Sequence, residues 1–296
     1  MSKCISQQVQ KAQAALPRLA KLTGSLPGLD ASLMVVQYSS PAVIAVLMGL
    51  ASLKDKYPAL RLSLRRSGEK GLVGGAGLRL LAVAWGRVGL SIGDARVIMR
   101  AFGLLPVLIP AIKMFYPDPI KSLTFAPIPS LQVLSLLLYY PLEHIAWLAS
   151  KGVVTMTPEA IGRTSIWSVR FWALYVVLEL VKIRQRHISL QQRTRAMRNA
   201  KPAVSQKEAE GYELQSGTPL GAVATPAVDA EAAKKVTALR GDWADLKNSI
   251  ITNAGYAPLT IHWSAGGLWA NPLYTSLFGT MAAIGQFRKQ WQLAGM

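Results

Sequence analysis

Forty residues, Asn248–Phe287, pass between Lys247 and Arg288 without a charged side chain, His262 being counted as neutral. So long an uncharged run has two destinations, the heart of a soluble fold or the interior of a bilayer. Its last part, Leu268–Phe287, has about the ~20 residues that a bilayer-spanning helix needs. Arg288 and Lys289 follow at once, as snorkelling anchors would, and Trp269, Tyr274 and Trp291 suit interfacial positions. The run therefore predicts a transmembrane helix over 268–287, the alternative being a buried helix of a soluble protein. Shorter uncharged runs are interrupted by proline: Ala31–Leu53 by Pro41, and Ala101–Ile112 by Pro106 and Pro110. A third, Ser122–Leu142, ends in the apolar stretch Leu131–Leu142 and is a second candidate span, although Pro127, Pro129 and Pro141 crowd it.

Charge narrows the class further. The 296 residues include 33 Lys and Arg against 15 Asp and Glu, a net charge of +18, in a chain that is 51% apolar and 16% charged. A disordered chain needs low hydrophobicity, and a plain cytosolic enzyme has no use for the imbalance. What remains is a nucleic-acid binder or a protein of an anionic membrane. The single cysteine, Cys4, excludes a disulfide framework and a cysteine-based zinc site. The first thirty residues carry Lys3, Lys11, Arg18 and Lys21 without the apolar core of a secretory signal, so any membrane address is expected in the body of the chain.

Chemistry is absent or only apparent. Gly89-Leu90-Ser91-Ile92-Gly93 spells a nucleophile elbow, but that elbow needs a strand before its serine, and Leu78–Val88 reads as helix. The glycines there predict a helix break or a close helix contact. The glycine-rich segment Gly71–Gly77 follows neither phosphate-loop nor dinucleotide spacing. His144, His187 and His262 lie far apart, with no further ligands at regular spacing. No catalytic, cofactor or metal site is expected, and no enzyme.

No β-alternation of useful length appears, so the chain reads as all-α, an integral membrane protein with amphipathic helices and one to two transmembrane helices. Four segments follow: residues 1–30 at the N-terminus; a helical membrane-associated region, 31–198; a flexible linker, 199–230, poor in bulky aliphatics; and 231–296, an amphipathic helix followed by the C-terminal span. Val236, Leu239, Trp243, Leu246 and Ile250 mark that amphipathic helix by their 3-4-3-4 spacing. Thr157-Pro158-Glu159 opens another, with a capping hydroxyl, proline at the first helical position and an early acid. The segment from Lys182 to Lys201 holds seven basic residues and no acid. It suits phosphates, through counterion release, or lipid headgroups. Its apolar flanks, and the lack of any nucleic-acid module, favour lipid.

Leu78–Leu90 is a candidate membrane-surface helix. Leu81, Ala84, Trp85 and Val88 share one face, while Arg79 and Arg87 lie about 80° apart on the other side. Such a helix can lie in a headgroup layer or simply pack on its neighbours. The N-terminal charge favours the membrane: residues 1–121 carry 16 basic and 5 acidic side chains. Leu60–Arg66 adds three arginines among leucines. In the C-terminal span, Ser276, Gly279, Thr280 and Ala283 set small residues three and four apart, a helix–helix contact face that fits self-association in lipid.

Several stretches resemble the peroxisomal biogenesis factor 11 (peroxin-11) family. Val35-Val36-Gln37-Tyr38-Ser39-Ser40 is similar to the family's Gln-Tyr helix, and Arg100–Pro106 to its Arg-x-x-Gly-Leu-Leu segment. The most specific match is Tyr139–Gly152: paired tyrosines, an acid, Trp-Leu and a Lys-x-Gly end. Arg170-Phe171-Trp172 and Pro258–Ser264 follow in the family's order. The resemblance implies a non-enzymatic integral protein of the peroxisomal membrane that inserts an amphipathic helix, within 59–100 by position. It further implies that the protein elongates peroxisomes for division, often as a homo-oligomer. Its partners would be an anionic phospholipid membrane, further copies of itself and the fission machinery. A proline break at Pro41 and a long basic helix plus linker, 182–230, depart from the commoner pattern. The alternative function is a channel or carrier for small metabolites, which needs polar residues along a path between spans; Glu143 and Glu179 are the candidates.

Overall fold

A computed structural model of the chain describes residues 15–57, 75–116, 126–212 and 226–295, with Gln13 and Asp118; the side chains of residues 200–212, 226–230 and 232 are not among those described. Cys4, Leu60–Arg66, Gly71–Gly74 and the start of the candidate span at 122–125 lie outside the described residues. Among the described residues the fold is all-α, with no strand. The helices are α1 (15–23), α2 (Leu26–Lys56), α3 (Ala76–Phe115), α4 (Pro127–Ser150), α5 (Pro158–Tyr212), α6 (Pro226–Ser264) and α7 (Pro272–Ala294).

The helix starts are written locally. Ser25 accepts from the Gly28 amide at 3.2 Å, Thr157 from Ala160 at 3.3 Å and Asn271 from Leu273 at 3.0 Å, and each cap is followed by a proline in the first turn. The stops are glycine stops. Gly152, at φ +76°, closes α4 with amide bonds from Gly152 to Ala149 and from Val153 to Leu148. Gly266 and Gly267, at φ +77° and +111°, end α6 in the same way. That stop and the Asn271 cap correct the expected helix over 268–287: α7 begins at Pro272. Trp269 lies flat on His262, with ring centroids 3.9 Å apart, and Nδ1 of His262 accepts from the Leu268 amide at 2.8 Å.

Proline does not break these helices. α2 runs through Pro41, α3 through Pro106 and Pro110, and α4 through Pro141. Each such proline removes a backbone donor, a loss that helices surrounded by lipid and by other helices tolerate. Three described helices, α2, α3 and α4, are long and apolar enough to cross a membrane. α7 is not among them, because Gln286, Arg288, Lys289, Gln290 and Gln292 dilute its apolar half. The linker expected over 199–230 is narrower as well: backbone helix continues to Tyr212 and resumes at Pro226, with 213–225 outside the described residues. Ala200, Lys201, Gln206, Lys207, Glu208 and Ala209 are residues of high helix propensity, which accounts for the extension.

The chain divides into two compact units, one with the described residues up to Glu179 and from Ile251 onward, the other Leu180–Ile250. In the first, α2 packs along α3 and α7, and α3 packs on α4. Its fully buried side chains are few and mostly small, such as Ala31, Met34, Leu259, Ala282 and Ala283. In the second, the end of α5 and the start of α6 pair through Ile183, Leu190, Leu239 and Leu246, with Met197 and Trp243 against them. Arg193–Asp242 at 2.8 Å and Arg186–Asp245 tie the two helices together.

Candidate functional site: polar groups behind apolar helix faces

The first unit reverses the pattern of a water-soluble protein. Leu80, Val83, Leu90, Phe102, Leu105, Ile109 and Ile112 of α3 are exposed, as are Val46 and Met48 of α2. An apolar exterior this extensive calls for an apolar environment or partner. Polar groups face inward instead, where intramembrane polar residues are found. Helical spacing puts Gly89, Gly93, Arg96 and Arg100 on one side of α3. The glycines let α2 approach closely: a Cβ at Gly89 would sit 3.2 Å from Ser40, and one at Gly93 would sit 2.9 Å from Nε2 of Gln37. The helix is continuous through both, so close contact is their role and no nucleophile elbow exists.

The arginines below them are fully engaged. Arg96 donates to Asp30 at 2.7 and 3.3 Å and to Oε1 of Gln37 at 2.7 Å, all from α3 to α2. Arg100 donates to both carboxylate oxygens of Glu143 on α4 at 2.8 Å, and Tyr139 Oη donates to the same carboxylate at 2.9 Å. Farther from α2, Asp94 accepts from Trp147 Nε1 at 2.9 Å and from Lys151 at 2.7 Å. An aromatic wall continues from Tyr139 to Trp172, which meets Tyr256 and Trp263 with ring centroids 5.0 and 6.0 Å away. Asp30, Gln37, Arg96, Arg100, Glu143 and the aromatic wall, but not Asp94, Trp147 or Lys151, border a cavity of about 1030 Å³ lined from α2 through α7, with Arg87, Val83, Leu90, Pro41 and Ile44 also on its walls.

Glu143 thus has its partner in Arg100, and Glu179 accepts from Gln132 at 2.9 Å. Asp30, Arg96 and Arg100 escaped sequence reasoning. The available signal was arginines four apart in an apolar segment, where an isolated charge is too costly to leave unpaired.

The expected surface helix 78–90 is not a separate element but the N-terminal third of α3, a helix of 40 residues. Leu81 and Val88 are exposed, at 38% and 45%, and Trp85 is half-buried with its Nε1 buried and unpartnered. Arg79 and Arg87 are exposed, Arg79 paired with Asp55 of α2 at 2.5 Å. The small residues of α7 make their contact within the chain. Ser276 Oγ donates to the Tyr38 carbonyl at 2.6 Å, the Tyr38 ring occupies the space where a Gly279 side chain would begin, and Ala283 is buried against Met34. Thr280 is half-buried beside them. That face is covered by α2, which removes it as the free surface for a second copy. Among the described residues no group of His, Cys, Asp and Glu could hold a metal ion.

No curated protein and no solved structure matches the chain. The profile of one family, peroxisomal biogenesis factor 11 (PEX11), matches residues 81–291, a stretch that begins within α3 and contains Arg96, Arg100, Glu143, Trp172 and Tyr256. With apolar helices suited to membrane association and most of its length within that match, the chain belongs to the peroxisomal biogenesis factor 11 family, and its role lies in peroxisome biogenesis.

Proposed function

We propose that the protein elongates peroxisomes and promotes their division by wedging the outward face of α3 into one leaflet of the peroxisomal membrane. Leu81, Ala84 and Val88 provide insertion, with the exposed part of the half-buried Trp85 beside them, and Arg79 and Arg87 attract anionic headgroups. Inserting such a face expands one leaflet and favours curvature. The observation that carries this reading is the exposure of Leu81 and Val88 on a helix that meets α2 through a neighbouring face, at Gly89, Gly93 and Arg96. In this reading α2, α3 and α4 anchor the protein as an integral one. At about 60 Å, α3 exceeds the ~30 Å hydrocarbon core, so part of it is left for the interface. Self-association and contact with fission machinery belong to the same reading, through surfaces other than the covered face of α7.

The test is full-length protein on anionic vesicles and in cells. The double variant Leu81→Asp with Val88→Asp changes exposed positions only. It should stay in the peroxisomal membrane yet fail to deform vesicles or lengthen peroxisomes; a variant that still lengthens them refutes the wedge. A metabolite channel or carrier is the second reading, favoured by the charged pairs and tyrosines that stand along the otherwise apolar cavity between apolar helices. Leakage of small solutes from vesicles that keep their shape would select it.

A further inference from the structure

The cavity follows α2 from Pro27 to Ile44, about 25 Å of helix at ~1.5 Å per residue. Its volume of about 1030 Å³ stands at the upper end of the range for ligand pockets. The cavity is open on the side where Val83, Arg87 and Leu90 are exposed, and the wall of Pro41, Ile44, Val83 and Leu90 there offers water few polar partners. The charged groups on the walls sort into two kinds. Arg96 and Arg100 are matched by Asp30 and Glu143. Arg87 lies one residue from Gly86, whose Cβ position is 3.5 Å from Ile44 Cδ1; it is exposed and has no ion pair among the described residues.

We infer that the cavity binds a single-chain anionic amphiphile, its head on the Arg87 guanidinium and its chain along Pro41, Ile44 and Leu90 toward the aromatic wall at Tyr38 and Trp172. One head charge matches Arg87, the wall cation that has no ion pair among the described residues. A long, narrow ligand fits a space drawn out along a helix, and an apolar chain suits the groups that line its Arg87 end. The headgroup chemistry is a carboxylate or a phosphodiester, and guanidinium accepts either through paired N–H donors. This inference shares Arg87 with the wedge but does not rest on its inserting face, because Leu81 and Val88 are not among the lining residues.

The experiment titrates the full-length protein, in non-ionic detergent, with a fluorescent long-chain fatty acid. Binding should saturate near one probe per chain. It should weaken about tenfold in Arg87→Glu, as loss of a charge-assisted contact does, and persist in Arg87→Lys. Leu90→Trp should block it, since Leu90 lines the cavity but is 74% exposed and accepts a larger ring without disturbing the core. Competition by lysophosphatidylglycerol would assign a phosphodiester head, and competition by unlabelled fatty acid alone a carboxylate. Uptake that does not saturate, wild-type affinity in Arg87→Glu or Leu90→Trp, or equal competition by the uncharged alcohol of the same chain length would overturn the inference. The Leu81→Asp, Val88→Asp protein should bind the probe normally while failing to deform vesicles, so the two readings fail separately.

Discussion

Arg96 and Asp30, 66 residues apart in sequence, meet through two guanidinium nitrogens on one carboxylate, and the Arg96 side chain is only 7% exposed. Removing one partner leaves the other charge buried and uncompensated, which costs about 3–5 kcal/mol. Asp30→Asn should therefore lower the thermal stability of the purified protein sharply. Asp30→Leu combined with Arg96→Met should recover most of the loss, because a well-packed apolar pair replaces a buried ion pair with little penalty. Equal stability of Asp30→Asn and the parent would show that this pair does not hold α2 to α3.

Gly279 is the point where α7 can least tolerate a side chain. The Tyr38 ring already fills the position that a Cβ would take, and Ser276 binds the Tyr38 carbonyl one turn earlier. Gly279→Leu should destabilise the chain by at least the ~1–3 kcal/mol typical of overpacking. Chemical crosslinking between copies, read at a temperature where the variant is still folded, should be unchanged. Weaker crosslinking with unchanged stability would instead return this face to self-association.

What could be read from the sequence was local. The Thr157 cap, the close-contact glycines and the hairpin helix through Leu239, Trp243 and Leu246 all follow from spacing or from residue chemistry within a few positions. The order of short motifs likewise carried the family. What escaped depends on distance or environment. Nothing near Asp30 announces Arg96, and nothing near Ser276 and Gly279 announces that Tyr38 covers them. Pro41, Pro106, Pro110 and Pro141 read as breaks because a proline's cost is judged against water, whereas these helices expose apolar side chains and bury few residues. The start of α7 was misplaced because a hydropathy run ignores the stop at Gly266-Gly267 and the cap at Asn271.

Leu246 anchors the smaller unit. It is fully buried among Ile183, Leu190 and Leu239, and the ion pairs at its edge, including Arg193–Asp242, are exposed and worth little. Leu246→Ala should cost about 2–5 kcal/mol. Arg193→Ala should cost less than about 1 kcal/mol. Amide exchange within 180–198 and 236–250 should accelerate in the first variant and barely change in the second; similar exchange in both would place the hairpin's stability in its charges.

Arg79 and Arg87 should not contribute equally to membrane attraction, although the sequence presents them as a pair. Asp55 accepts from the Arg79 guanidinium at 2.5 Å and also from the Gly75 amide at 2.6 Å, so most of the Arg79 charge is offset locally. No ion pair among the described residues offsets Arg87. A basic residue beside an anionic leaflet contributes about 1 kcal/mol, or roughly fivefold in affinity, and that share is screened as salt rises. Arg87→Ala should thus lower the affinity of the full-length protein for anionic vesicles by about fivefold in low salt and flatten its salt dependence. Arg79→Ala combined with Asp55→Ala removes a pair that carries no net charge and should change affinity by less. Sedimentation with vesicles across a salt series would read both slopes. Equal losses for the two variants would mean that the Asp55 pair opens at the membrane and that both arginines face the headgroups.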